Sequence, residues 1–203
     1  KLYQEPKRRI RWLTKQEAEK LISVLPPYLA DMVVFSLATG LRQRNVLDLE
    51  WSQIDLPART AWIHASDSKS GRAIGVALND TAVVVLSKQM GKHSKFVFTQ
   101  PNGRKVLSIS SRLWKNALDK AGIVDFRWHD LRHTWASWLI QAGVPLAALQ
   151  EMGGWESVEM VRRYAHLSAQ HLQNHAALLD KMNLAEGTNL THLDKGKEKN
   201  GIQ

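Results

Sequence analysis

Six side chains have the types and spacing to do chemistry together: Arg42, Lys69, His129, Arg132, Trp155 and Tyr164. Most stand where an apolar helical run begins or ends. Arg42 follows Ala38-Thr39-Gly40-Leu41 at the close of such a run, where an arginine also serves simply to complement the helix dipole. In Trp128-His129-Asp130-Leu131-Arg132-His133, positions 129 and 132 share one face of a helix's first turn, beside backbone N–H groups that no carbonyl of the helix satisfies. That is a seat for a phosphate. The plainer reading is that Asp130 caps the helix while the His and Arg lie on the surface. The stretch from Gly153 to His166 ends a further helix with the aromatic hydroxyl of Tyr164, for which a place in the core or at its rim is the ordinary fate. Each residue alone is a weak signal; a shared site needs elements that bring them together.

Composition narrows the field. In 203 residues, 44% hydrophobic and with 8 Trp, there is enough apolar material for one compact domain and too little for two large ones. Lys and Arg outnumber Asp and Glu by 28 to 19, a formal charge of +9, which suits a polyanionic partner and makes nucleic acid the first to test. The absence of Cys excludes disulfides, thiolate zinc sites and a cysteine nucleophile, and fits a reducing, cytoplasmic compartment. No apolar run is long enough to span a bilayer, and the polar opening Lys1-Leu2-Tyr3-Gln4 is no signal peptide.

The elements that must position the six residues follow from periodicity and punctuation. Thr14-Lys15-Gln16-Glu17 is a capping box opening a helix with Ala18, Leu21, Ile22 and Leu25 on one face, stopped by Pro26-Pro27. A second helix runs from about Tyr28 to Thr39 and ends at Gly40, and a short third lies around Asn45 to Leu49, so two helices converge on Arg42. Thr60 to His64 and Ala73 to Leu78 read as strands joined by a Ser/Asp/Gly-rich turn that carries Lys69. Asp80 should cap a helix to about Met90, and Phe96 to Phe98 is expected as a third strand. Helices follow at about Ser108 to Ala121, Asp130 to Ala142, Pro145 to Met152 and Ser157 to Arg163. The expected class is mainly α with a small antiparallel β-sheet on one flank (α+β).

With order and spacing in hand, the chain resembles the tyrosine recombinase (phage integrase) family over roughly residues 10 to 182. Ala38-Thr39-Gly40-Leu41-Arg42 with Val46-Leu47-Asp48-Leu49 resembles the family's first-arginine motif, and Ser68-Lys69-Ser70-Gly71-Arg72 its hairpin lysine. His129-Asp130-Leu131-Arg132 matches its His-x-x-Arg motif, Gly153-Gly154-Trp155 falls where Leu-Gly-His is frequent, and Tyr164 stands nine residues beyond Trp155, where the nucleophile is expected. The resemblance implies the catalytic domain of an enzyme of the DNA breaking-rejoining fold, acting through a 3′-phosphotyrosine and without a metal or other cofactor. Arg42 and Arg132 would be cationic forks for the phosphorane-like transition state, His129 the helper of the phenol, Lys69 the proton donor to the leaving 5′-oxygen with Arg72 in reserve, and Trp155 a hydrogen-bond donor. Two positions depart from the pattern: Trp155 replaces the usual His, and Asn45 stands where an acidic residue usually steadies the first arginine.

The resemblance further implies a linker over residues 1–10 from an N-terminal core-binding domain, a catalytic domain over 11–182 and a disordered polar tail over 183–203. The partners it implies are double-stranded DNA at attachment sites, a tetramer on DNA in which the final helix, about Ser168 to Met182 with Leu172, Ala176 and Leu179, docks on a neighbour, and accessory DNA-bending or directionality proteins. The expected location is the bacterial cytoplasm, at the nucleoid. Three other readings compete. A type IB topoisomerase shares the chemistry; a helix-turn-helix repressor is imitated by the segment from Ala142 to Tyr164; a metal-dependent nuclease is suggested by the i,i+4 pairs His129/His133 and His171/His175.

Overall fold

The computed structural model describes residues 10–67, 71, 73–168, 173 and 176–179. Residues 1–9 of the expected linker over 1–10, the hairpin tip around Lys69 and the expected tail over 183–203 lie outside the described residues. Helix α1 (Lys15–Val24) starts on the capping box: Thr14 Oγ1 accepts from the Glu17 N–H at 3.1 Å, and the Glu17 carboxylate accepts from the Thr14 N–H at 2.7 Å. Helix α2 (Pro27–Thr39) is the central element, burying Leu29, Met32, Val33, Phe35 and Leu37 and packing on α4 (Asp80–Gln89) and α6 (Asp130–Gln141). It ends at Gly40 as expected, in the left-handed conformation that favours glycine.

Short helix α3 (Gln43–Leu47) leads to a three-stranded antiparallel sheet, β1 (Ile54–Asp55), β2 (Thr60–Ile63) and β3 (Ile74–Ala77), in that spatial order. Ala61 and Ile63 with Ile74 and Val76 form the inner face, and Trp62 pairs with Gly75 on the outer one. Three expectations are corrected here. The third strand is Ile54–Asp55, whereas Phe96 makes only an isolated bridge to Glu50, because Val97 and Phe98 are drawn into the core from a loop. The cap of α4 is Asn79, whose side chain accepts from the Ala82 N–H at 2.9 Å. Helix α5 (Ser111–Ala121) begins three residues later than its Ser-rich approach suggested, with Ser110 as cap.

After α6 come α7 (Leu146–Gly153), a four-residue α8 (Glu159–Arg162) and a 3-10 turn, Ala165–Ser168. The segment ahead of α1 is tied to α6 at two points: the Leu13 N–H donates to Thr134 Oγ1 at 3.1 Å, and the Trp138 indole donates to the Leu13 carbonyl at 2.9 Å. Buried apolar side chains fall into two clusters. The larger fills the space between α1 to α5 and the sheet; the smaller, Trp135, Ala136, Ile140, Leu149, Val161 and Tyr164, joins α6, α7 and α8. Among the described residues no helix is long and apolar enough to cross a membrane.

Candidate active site

The site is built around the first turns of α6. Arg132 is 5% exposed and held at both ends of its fork: Nη1 donates to the Gly40 carbonyl at 2.7 Å and Nη2 to the Gly153 carbonyl at 2.6 Å. These carbonyls close α2 and α7, where helix dipoles concentrate negative partial charge, so two helix ends aim one guanidinium. Its remaining N–H groups keep their donor capacity for an oxyanion. Trp155 covers one face, with its ring centre 4.0 Å from the Arg132 Cζ, and stacks at 6.1 Å on Trp135. The indole thus meets the arginine through its π-face, a cation–π contact that reasoning from its N–H alone does not anticipate. Burial, and then the positive charge of Arg42, push Arg132 down to about 9, which leaves it cationic at neutral pH.

Gly40 must be glycine on two counts. Its φ is +66°, and a Cβ there would lie 2.3 Å from ring atoms of Trp135. Gly40→Ala is expected to cost about 2–4 kcal/mol from left-handed strain plus overpacking, and to displace a carbonyl that holds Arg132; urea unfolding at neutral pH measures the loss.

Arg42 caps the start of α3 and is half-buried; its Nη1 is buried with no hydrogen-bond partner among the described residues. Burial lowers its pKa, an effect opposed by the negative charge of Glu156. Asn45, at the position expected to steady it, is buried on α3. His129 is the N-cap residue of α6 and is exposed. Desolvation against the helix start, then the cations Arg132 and Arg42, hold its imidazole below the ordinary range, so it is neutral at pH 7. Asp130 is 2% exposed and accepts from the Arg127 N–H at 2.8 Å, fixing the turn that precedes α6.

Tyr164 is only 1% exposed. Its hydroxyl meets His133 Nδ1 at 2.5 Å, and its ring lies 6.1 Å from Trp155. The histidine on the phenol is therefore His133, not His129, which instead stands edge-on to His133 at 5.0 Å. The signal for His133 was present as its i,i+4 spacing from His129. Its contact across 31 residues of sequence, however, depends on how the 3-10 turn that follows α8 packs on α6. Burial raises Tyr164 to about 12, against the pull of Arg132 and Arg163, while burial and then His129 lower His133 to about 4. A base near 4 does not take a proton from an acid near 12, so this hydrogen bond joins two neutral groups at pH 7. Among the described residues no third His, Asp or Glu joins the two histidines in a metal-binding group.

The depressed His133 has a consequence for stability. Because its folded pKa, about 4, lies below its unfolded value, the fold favours the neutral ring; the associated stability is present above about pH 6.5 and is lost as pH falls toward 4. Melting temperatures of the wild type should fall across that window more steeply than those of His133→Asn.

The structure thus brings Arg42, His129, Arg132, Trp155 and Tyr164 to one place, whereas Lys69 and Arg72 lie outside the described residues. A helix-rich domain with a small antiparallel sheet is also the fold of solved integrase and recombinase structures. The catalytic domain of bacteriophage HP1 integrase superimposes with a TM-score of 0.65 at 23% identity, covering 88% of this chain and 98% of that one. XerH site-specific recombinase bound to its difH substrate gives 0.64 at 20% identity, covering 88% and 57%. The chain belongs to the phage integrase family, whose model matches residues 11–171. The integrase of Salmonella phage P22 is 52% identical over 213 residues, covering 99% of this chain; the chain spans 54% of the length of that relative.

Proposed function

We propose that this domain cleaves and rejoins DNA strands in site-specific recombination of the prophage integration and excision type, through a 3′-phosphotyrosyl intermediate on Tyr164. The observation that carries the reading is Arg132, fixed by two helix ends within the field of both Arg42 and Tyr164. In the proposed reaction the Tyr164 hydroxyl leaves His133 for the scissile phosphate, and its oxygen bonds to the phosphorus as the bond to the 5′-oxygen breaks. There neutral His129 takes the tyrosyl proton, and Lys69 supplies a proton to the departing 5′-oxygen. Arg42 and Arg132 neutralise the charge on the non-bridging oxygens, and Trp155 keeps Arg132 in place. The phosphodiester energy stays in the phosphotyrosine, so a 5′-hydroxyl from a second strand reverses the step without ATP.

DNA is the partner that the +9 charge and the XerH–difH likeness support. The family reading favours neither a topoisomerase nor a helix-turn-helix repressor, and a repressor would have no use for Arg42, Arg132 and Tyr164 set together. For tetramer assembly on DNA, support comes from the exposure of Ala176 and Leu179 and from an apolar groove of about 400 Å³ lined by Ile22, Leu37, Trp138 and Leu139, which suits a helix from a neighbour. Incubation with nicked suicide duplexes carrying attachment sites, in EDTA, tests the function. An SDS-resistant protein–DNA adduct is expected; duplex binding without any adduct, also in a full-length chain, would overturn it.

A further inference from the structure

Tyr164 is the largest fully buried side chain among the described residues. An in-line attack needs the phosphorus within about 3–3.5 Å of the attacking oxygen. No DNA phosphate can come that close to a hydroxyl on a side chain 1% exposed, so the tyrosine is seen here in a closed position. Among the described residues the hydroxyl has one hydrogen-bond partner, His133 Nδ1 at 2.5 Å, and His133 is itself braced edge-on by His129. Meanwhile the backbone that carries Tyr164 is easily remodelled. It lies between the four-residue α8 and a 3-10 turn and is held by i→i−3 bonds, Tyr164 N–H to Val161 O and Leu167 N–H to Tyr164 O, both 2.9 Å. Among the described residues, opening it breaks no long helix.

We propose that His133 is a positioning residue that latches the nucleophile closed: it anchors the Tyr164 hydroxyl in the small cluster between α6, α7 and α8. DNA binding must exchange this hydrogen bond for contacts at the scissile phosphate before attack. The latch rests on reading Tyr164 as the nucleophile, but its first test needs no DNA.

That test is nitration of the DNA-free protein by tetranitromethane, mapped by mass spectrometry with Tyr28 as internal reference. Tyr164 of the wild type should resist. In His133→Ala its nitration should rise about three- to tenfold, the worth of one hydrogen bond, and His133→Asn, which offers Oδ1 as acceptor, should restore protection. Should the alanine variant not fold, His133→Phe fills the ring's space without an acceptor and gives the same comparison. In the second readout, adduct formation on a nicked duplex should be as fast as wild type or faster once the latch is gone. Unchanged nitration in a folded variant without the acceptor would overturn the latch, as would a tenfold fall in its adduct formation. If no protein, wild type included, forms an adduct, the recombinase reading fails while nitration still judges the latch.

Discussion

Tyr164→Phe is expected to fold, to bind DNA as the wild type does, and to form no covalent adduct. The variant removes one oxygen and keeps the ring that completes the cluster with Trp135, Ile140, Leu149 and Val161. Its structural cost is the hydrogen bond to His133, about 0.5–1.5 kcal/mol, so the melting temperature should drop by only a few degrees. Affinity should hold, because neutralised phosphates rather than the phenol supply it. Chemistry should not: without a nucleophile the covalent step has no route, and the loss should be on the order of 10⁴-fold or more. Gel-shift and denaturing-gel assays on one nicked duplex separate the two effects.

The second large effect is expected at Arg132. Arg132→Lys keeps a positive charge but cannot donate to the Gly40 and Gly153 carbonyls and to an oxyanion at once, since a single ammonium replaces a planar fork. Each preorganised donor to a developing oxyanion is worth about 3–4 kcal/mol, so strand cleavage should slow by roughly 100- to 1000-fold, with DNA affinity little changed. Arg132→Ala should lose more on both counts. It also leaves two buried carbonyls without their donor, at about 1–3 kcal/mol each, and strips the Trp155 ring of its cation. Single-turnover cleavage and urea unfolding of the two variants, read together, distinguish lost transition-state binding from lost structure.

Much of the frame was legible in the chain because local chemistry agreed with the global fold. The Thr14/Glu17 capping box, the arrest of α2 at Gly40 and the β2–β3 hairpin each announce themselves within a few residues. Where reading failed, the determinant was distant. Phe96 to Phe98 is as apolar as a strand, but Val97 N–H pairs with Leu49 O in a loop, and the true edge strand Ile54–Asp55 is too short to show alternation. The residues of the site could be picked out by type and spacing, but not their contacts. That Arg132 would be held by two helix-end carbonyls, that Trp155 would cover it with its face, and that His133 would reach the phenol are all consequences of packing between α2, α6, α7 and α8.

The most direct test of the central claim is to identify the residue that holds DNA. Adducts trapped on a nicked suicide duplex in EDTA, digested with trypsin and nuclease, should yield a nucleotide-linked peptide running from Tyr164 to Lys181, the fragment bounded by Arg163 and Lys181. A 3′-phosphate on Tyr164, and loss of that species in Tyr164→Phe, is the expected result. Linkage through any other residue, a 5′-phosphate linkage, or an adduct that persists in Tyr164→Phe would contradict it.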